Sequence, residues 1–367
     1  MTNTAPAPEQ LTDLLKNNLV LLSDNSFEKL PPSLKDNEII FLGETHKVNP
    51  LQKVAAELAV YLANYKPVVY ACESAYSFGP FMEAASLGNP KTIQPIGIPD
   101  CIQVFNSNQT TGKKILMTAI DIEHAMYNFN KNKQIPVIFL QELAGRSTSD
   151  IASEEINKEV AQFTAQDTYD KMNRYLKKLK KVFQPHLDTF SSEDQDEILF
   201  SLDLLQASNR FYQYISVRGI RRFFLTNWAW NIRAKYFKKT IERAYRKAQE
   251  REAILLCRVG ADHADWGLKM DAHYFAKKYS PTKGKVASIR LVPLYYDVRE
   301  TNDNVTEKHN DIDSIVKTLM EDDEYGYLSL SDLQKNTNNS FKWSKYYGSG
   351  GPKHDGLLFV RIEKNSN

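Results

Sequence analysis

Short apolar runs alternate with longer segments of helical periodicity over much of the chain. Six of the runs are β-rich and predict strands: 38–42 (EIIFL), 67–72 (PVVYAC), 115–120 (ILMTAI), 135–140 (IPVIFL), 253–259 (AILLCRV) and 286–294 (VASIRLVPL). Most of them are continuously apolar instead of alternating, as is typical of strands that are covered on both faces. The pattern therefore predicts a buried, mostly parallel sheet.

A helix is predicted between the first two strands. Pro50 opens it, and its apolar positions follow helical spacing: Leu51, Val54, Ala55, Leu58, Leu62 and Tyr65. Strand, helix and strand in this order make a βαβ unit, and repeated units give a parallel sheet with helices on both faces. We therefore expect the α/β class: a mostly parallel sheet with helices on both faces and a large helical insertion.

The insertion is the stretch from Ser149 to about Gln249, where long charged helical patterns follow one another without a strand signal. This break divides the chain into five predicted parts. They are an N-terminal tail and helix (1–37), the first part of the α/β domain (38–148), a helical insertion or lid (149–250), the second part of the α/β domain (251–300), and a polar connection with a C-terminal edge strand (301–367).

Basic and acidic side chains nearly cancel but are unevenly spread. The 367 residues include 47 Lys or Arg and 45 Asp or Glu, which gives a net charge of +2. From Arg218 to Arg258 there are 12 basic residues and 3 acidic ones. This run fits either a solvated helix face or a wall that attracts an anion over a site. The overall balance argues against a nucleic-acid partner, so we expect a small-molecule or peptide substrate, with an anionic one favoured.

No segment of the sequence is typical of a membrane anchor or a secretory signal. No apolar run is long enough to cross a bilayer, so no transmembrane segment is expected, and MTNTAPAPEQ lacks the basic start and apolar stretch of a cleavable signal. We expect a cytoplasmic protein, or one exported without a cleavable signal peptide. The three cysteines, Cys72, Cys101 and Cys257, are too few for a disulfide framework.

Side chains that can do chemistry follow the predicted strands where they end. The first strand leads into Gly43-Glu44-Thr45-His46, the second into Glu73, the third into Asp121, the fourth into Gln141-Glu142, and the fifth into Gly260-Ala261-Asp262-His263. Ligands of open parallel sheets bind outside the carboxyl ends of the strands. These side chains are therefore predicted to share one rim of the sheet.

Each candidate also has an ordinary structural interpretation. A histidine can be half-buried and bonded to a backbone carbonyl, and Glu44, Glu73 or Asp121 can cap a following helix. The glycine three residues before both His46 and His263 favours a site, because it predicts a tight turn that aims the side chain into the crevice. We expect His46, Glu73 and His263 to converge on one ligand position.

The order of these motifs resembles the superfamily that contains the erythromycin esterases, the ChaN-like haem-binding lipoproteins and the Tiki/TraB proteins. FLGETHKVNPLQKVAAEL is similar to the first histidine motif of that superfamily, and VGADHADWG is similar to the second. RRFFLTNWAWNI, which contains Arg222, partly resembles the arginine-asparagine helix of the esterases. The resemblance covers roughly Glu38 to Leu143 and Arg218 to Leu294.

The resemblance implies the same fold, a cleft lined by His46, Glu73 and His263, and more than one chemistry. In esterase-like members a histidine is the general base for a water that attacks an ester. In Tiki-like members the corresponding histidines and glutamate form a metal-dependent peptidase site, and ChaN-like members bind haem or iron. A divalent transition metal is therefore one candidate cofactor, and haem is a less favoured one.

Three interpretations of the site remain open. In a metal-free hydrolase, His46 deprotonates water and Glu44 or Glu73 orients its ring. His263, together with an arginine, then stabilises the oxyanion. As a metal centre, His46, Glu73 and His263 make a mixed nitrogen and oxygen ligand set. The third interpretation is a binding or effector module without turnover. Supporting candidates are Asp121, Asp262 and Arg222.

Overall fold

The computed structural model describes residues 8–22, 27–46, 48–88, 101, 103–105, 115–129, 133–219, 221–268, 270–295, 311–337 and 354–362. The strands found there are β1 (Leu19–Leu22), β2 (Ile39–Glu44), β3 (Val68–Ala75), β4 (Ile115–Asp121), β5 (Ile254–Gly260), β6 (Val286–Tyr295), β7 (Tyr325–Ser329) and β8 (Gly356–Ile362). The α-helices found there are Pro8–Asn18, Asn49–Ala63, Gly79–Ser86, Gln134–Ala144, Asp150–Val160, Tyr169–Phe183, Ser192–Ile215, Arg221–Glu250, Ala261–Ala264, Asp271–Lys277, Asp311–Met320 and Leu330–Asn336.

The strands of the described residues form one sheet in the order β1-β7-β8-β6-β2-β5-β3-β4. β2 lies between β5 and β6 and is parallel to both, and β6 is also parallel to β8. β7 is antiparallel to both of its neighbours, β8 and β1. The sheet is mixed but mostly parallel, and helices flank it, so the predicted α/β class is confirmed.

Five of the six predicted strands are present as β2 to β6, and the sixth prediction is wrong. Residues 135–140 lie in the helix Gln134–Ala144, which buries seven of its 11 residues. All six residues of the run are apolar, so it shows no helical periodicity. A short apolar run of this kind does not distinguish a buried strand from a buried helix. Pro136 fits because the first residues of a helix need no N–H partner within it.

The C-terminal strand is not at the edge of the sheet, contrary to the edge strand predicted within residues 301–367. β8 lies between β6 and β7, and β1 follows β7 on the outside. The expectation fails because two strands were missed in the sequence. β1 has only four residues, and β7 lies between the acidic run EDDE and a helix. Both are too short for their alternation to stand out.

Between Ser149 and Glu250, the elements among the described residues are all helical, as the periodicity predicts. The helix Tyr169–Phe183 buries Met172, Tyr175, Leu176, Leu179 and Phe183, an apolar stripe at helical spacing. Three of these helices begin with side-chain caps, in which the Ser149, Thr168 and Ser191 hydroxyls accept a backbone N–H. None of the described helices combines the length and hydropathy needed to cross a bilayer.

Contacts divide the chain into two compact units. The first unit comprises Met1–Tyr70, Ile96–Leu116 and Lys247–Asn367, and the second comprises Ala71–Pro95 and Met117–Arg246. The first unit contains β1, β2, β5, β6, β7 and β8 in full. The second contains the helices from Gln134 to Ile215, whose apolar faces share one core. The role of residues 149–250 as a lid stays a prediction.

Candidate functional site

In the first unit, the two histidine motifs follow adjacent parallel strands. β2 and β5 pair so that Glu44 is opposite Gly260, the last residue of each strand. His46 comes two residues after Glu44, and His263 comes three residues after Gly260. Because the paired strands run in the same direction and end in register, both histidines follow the same end of the sheet.

Gly43 has a different role from the turn that the sequence predicted. It lies inside β2, paired with Val259 on one side and Arg290 on the other. A Cβ atom on Gly43 would lie 2.9 Å from Ala264 Cβ and 3.0 Å from Ala261 Cα. The glycine therefore allows the short helix Ala261–Ala264, which carries His263, to approach β2 closely.

His263 is held by a carboxylate that the sequence analysis missed. Asp271 Oδ2 lies 2.6 Å from His263 Nδ1, and the side chains are 1% and 9% exposed respectively. The carboxylate accepts, so the ring carries its proton on Nδ1 and presents Nε2 on the opposite edge. Asp271 is the first residue of the helix Asp271–Lys277. The supporting candidate Asp262 is exposed, although it lies next to His263 in the chain.

His46 also has a carboxylate neighbour, but in a much more open setting. Its side chain is 57% exposed, and Nδ1 lies 3.6 Å from Oε1 of Glu44, which is 8% exposed. The other oxygen of Glu44, Oε2, lies 3.8 Å from Nε of the buried Arg258. Arg258 therefore places a positive charge beside the buried carboxylate of Glu44. Sequence reasoning missed Arg258, although an arginine inside the apolar run AILLCRV is a signal for a buried partner.

In the second unit, Glu73 and Asp121 share one arginine. Arg233 donates from Nε to Asp121 Oδ1 (3.0 Å) and from Nη2 to Asp121 Oδ2 (2.8 Å) and Glu73 Oε1 (2.5 Å). The side chains of Arg233, Glu73 and Asp121 are 14%, 10% and 2% exposed. Arg233 lies in the helix Arg221–Glu250, directly after the motif segment RRFFLTNWAWNI, which contains Arg222. The side chain of Arg222 lies outside the described part of the structure.

His124 and Glu123, which follow Asp121 in the chain, lie in the same group of charged side chains as Arg233 and Asp121. His124 Nε2 lies 2.9 Å from Asp121 Oδ2. Burial acts to raise the pKa of Asp121, but the hydrogen bonds and charges of His124 and Arg233 outweigh it and hold that pKa well below its usual range. Burial lowers the pKa of His124, but the bond to Asp121 outweighs it, so the pKa is raised. Burial raises the pKa of Glu123, although the backbone N–H groups of Ser77 and Ala125 oppose this.

One carboxylate of the predicted metal-ligand set already has a cationic partner. Among the residues that the structure describes, no group of three or more His, Cys, Asp or Glu side chains could hold a metal ion. Glu73, the carboxylate of the predicted set, already accepts from Arg233, and the guanidinium would repel a metal at that oxygen. The convergence of Glu73 with His46 and His263 stays a prediction.

Comparison with known proteins shows the fold and leaves the activity open. No protein-family model matches the sequence, and no curated protein matches it. A Bacillus cereus protein of known crystal structure is similar with a TM-score of 0.62 at 10% identity, covering 98% of both chains. A mutant of the erythromycin esterase EreC, solved in its open conformation, is similar with a TM-score of 0.53 at 13% identity, covering 91% of this chain and 93% of that one. The chain thus has the fold seen in an erythromycin esterase.

Proposed function

We propose that the protein is a hydrolase that activates water for attack on an ester or amide bond, with His46 and His263 as its central pair. One observation carries the proposal. Two histidines, each beside its own carboxylate, follow the same ends of adjacent parallel strands. The fold shared with an erythromycin esterase agrees with this chemistry.

His46 is the general base. It is the open histidine of the pair, so a water molecule and a substrate can both reach its ring. As the neutral imidazole it takes a proton from water through Nε2, and the resulting hydroxide oxygen bonds to the carbonyl carbon. Glu44, 3.6 Å from Nδ1, stabilises the positive ring that results. Such a contact can shorten when substrate binds, because catalytic hydrogen bonds are often long in the free enzyme.

His263 stabilises the negative charge that develops on the carbonyl oxygen. Its ring is fixed by Asp271, so Nε2 has a set direction before substrate arrives. In its protonated form, balanced by the Asp271 carboxylate, it donates Nε2–H to the oxyanion. The intermediate then breaks its bond to the leaving group, which takes the proton from His46 and leaves as alcohol or amine.

Glu73 is proposed as a further member of this site. It lies near the carboxyl end of β3, and Arg233 holds its carboxylate within the second unit. Its role is to orient or balance charge, since Arg233 already occupies one of its oxygens. We therefore expect loss of Glu73 to slow the reaction less than loss of His46.

The test is a panel of ester, lactone and peptide substrates with wild type, His46→Gln, His263→Gln and Glu73→Gln. General acid-base catalysis is worth about 10²- to 10⁴-fold, so His46→Gln is expected to lower kcat/KM by that range. The matched control is His186→Gln, because His186 also contacts a carboxylate, Glu155 at 3.1 Å, but lies between two helices and follows no strand of the sheet. This control is expected to keep wild-type activity.

Other outcomes would favour the other interpretations. A stoichiometric transition metal that disappears in His263→Gln, together with peptide cleavage, would replace the proposal by a metallopeptidase. A wild type that turns over no substrate of the panel, but binds an ester as tightly as His46→Gln does, would indicate a binding module.

A further inference from the structure

We infer that Ser288 is a positioning residue for the helix Ala261–Ala264 and so for His263. This inference rests on the proposed function only for the importance of His263. Ser288 lies on β6 and is completely buried. Its hydroxyl Oγ lies 2.5 Å from the carbonyl oxygen of Ala264, the residue directly after His263. The bond ties the C-terminal end of the helix to the sheet.

The direction of this bond is fixed by a second residue. Ser288 Oγ also lies 2.9 Å from Nδ1 of His354, which is 5% exposed. A hydroxyl has one proton, and the Ala264 carbonyl can only accept, so Ser288 donates to Ala264 and accepts from His354 Nδ1–H. His354 therefore holds the hydroxyl in the one orientation that supports the helix.

The backbone around Ser288 strengthens this arrangement. Ser288 N donates to Asp355 Oδ2 and Asp355 N donates to Ser288 O, both at 2.8 Å. Asp355, the residue directly before β8, thus holds Ser288 in place by two hydrogen bonds.

Two adjacent strands of the sheet consequently determine the position of the helix Ala261–Ala264. Gly43 on β2 allows its close approach, and Ser288 on β6 bonds its last carbonyl. A helix of four residues is a single turn, which is too short to be stable by its own backbone hydrogen bonds. Loss of the Ser288 hydroxyl should therefore let His263 shift relative to Asp271.

The test follows the His263 ring by nitrogen NMR in ¹⁵N-histidine-labelled full-length protein, with His263→Gln used to assign its signals. Ser288→Ala is expected to move the His263 ring signals and the midpoint of their pH titration, and Ser288→Thr is expected to restore them. The matched control is Ser208→Ala. Ser208 is equally buried, donates to the Leu204 carbonyl and accepts from Glu123 N, but it belongs to the second unit.

Unchanged His263 signals in Ser288→Ala would overturn the inference, and so would an equal change in Ser208→Ala. If Ser288→Ala does not fold, His354→Ala and His354→Asn give the same comparison, because the asparagine amide can replace the Nδ1–H donor. In that pair, a shift in His354→Ala that His354→Asn reverses supports the inference, and equal signals in the two variants overturn it.

The NMR measurement needs no substrate, so it remains decisive if the proposed hydrolase activity is absent. Where an ester is hydrolysed, Ser288→Ala is expected to lower kcat about tenfold with little change in KM, since a displaced catalytic group slows the chemical step. Wild-type kcat in Ser288→Ala would contradict the positioning role.

Discussion

Replacing Gly43 by alanine tests how closely the helix that carries His263 packs on β2. The added Cβ would lie 2.9 Å from Ala264 Cβ and 3.0 Å from Ala261 Cα. Carbon atoms in contact are about 3.5 to 4.0 Å apart, so these atoms must separate by at least about 0.5 Å. β2 is held by parallel strands on both sides, whereas the helix has four residues. We expect the helix to move.

Overpacking of this kind costs about 1 to 3 kcal/mol, and Gly43→Ala should lower the free energy of unfolding in urea by that amount. The control is Gly145→Ala. Its Cβ would lie 3.5 Å from the Gln141 carbonyl oxygen, an ordinary contact, and its φ of −68° suits alanine. This control should be neutral or stabilising by about 0.4 to 1 kcal/mol. Equal stability of Gly43→Ala and wild type, with unchanged His263 ring signals, would refute the close packing of this helix.

Three further predictions concern the second unit and the His263 partner. Arg233→Met should destabilise the protein by about 3 kcal/mol in urea at neutral pH, because it removes the guanidinium that pairs with both Glu73 and Asp121. Arg146→Met, which breaks a pair that is 46% exposed on the arginine side, should cost less than about 1 kcal/mol, and equal losses would contradict the reasoning. The raised pKa of His124 means that its bond to Asp121 stabilises the protein fully below the ordinary value of 6.5, and that this contribution is lost as pH rises through the folded value. Wild type should therefore lose stability relative to His124→Gln over that interval of pH, and a constant difference between the two would be the contrary result. Asp271→Asn should lower kcat with little change in KM, because it removes the group that fixes the His263 ring, and a pure KM effect would argue against this.

The strands at the centre of the sheet could be predicted because their signal is local. β2, β5 and β6 are mostly buried on both faces, so their sequences are mostly apolar, and this pattern can be recognised without knowing which strands are neighbours. The same apolar pattern led to a wrong strand prediction at residues 135–140, because a helix that is buried on most of its surface is apolar as well. β1 and β7 were missed because four or five residues do not establish a period.

The histidines of the site could be proposed from the sequence, but most of their partners could not. His46 and His263 follow strand ends, and the chain order reveals them. The partner of His263 is Asp271, which lies beyond a turn and was passed over for the adjacent Asp262. Adjacent residues of a helix project in different directions, so the neighbour of His263 in the sequence is not the carboxylate that contacts its ring. The tertiary fold determines which carboxylate does.

Arg233 and Ser288 illustrate the same limit at longer range. Arg233 reaches Glu73 and Asp121 across more than a hundred residues of chain, and Ser288 meets His354 from a neighbouring strand. In the sequence, Arg233 is one of many basic residues in a run that fits either a solvated helix face or an anion-attracting wall, and Ser288 is a small polar residue in an apolar strand. Their roles depend on tertiary contacts that local periodicity does not encode.

The two histidines differ in exposure, and this difference assigns their roles. A base that takes a proton from water must be accessible, whereas a group that stabilises an oxyanion must be fixed in advance. His46 is 57% exposed and 3.6 Å from its carboxylate, while His263 is 9% exposed and 2.6 Å from Asp271.

A pH profile of kcat/KM tests this assignment. His46 must be neutral, which sets the acidic limb, and His263 must be protonated, which sets the basic limb. Removing a neighbouring negative charge disfavours the positive ring, so Glu44→Gln should move the acidic limb to lower pH and Asp271→Asn should move the basic limb to lower pH. If Asp271→Asn moved the acidic limb and Glu44→Gln moved the basic one, the roles of His46 and His263 would have to be exchanged.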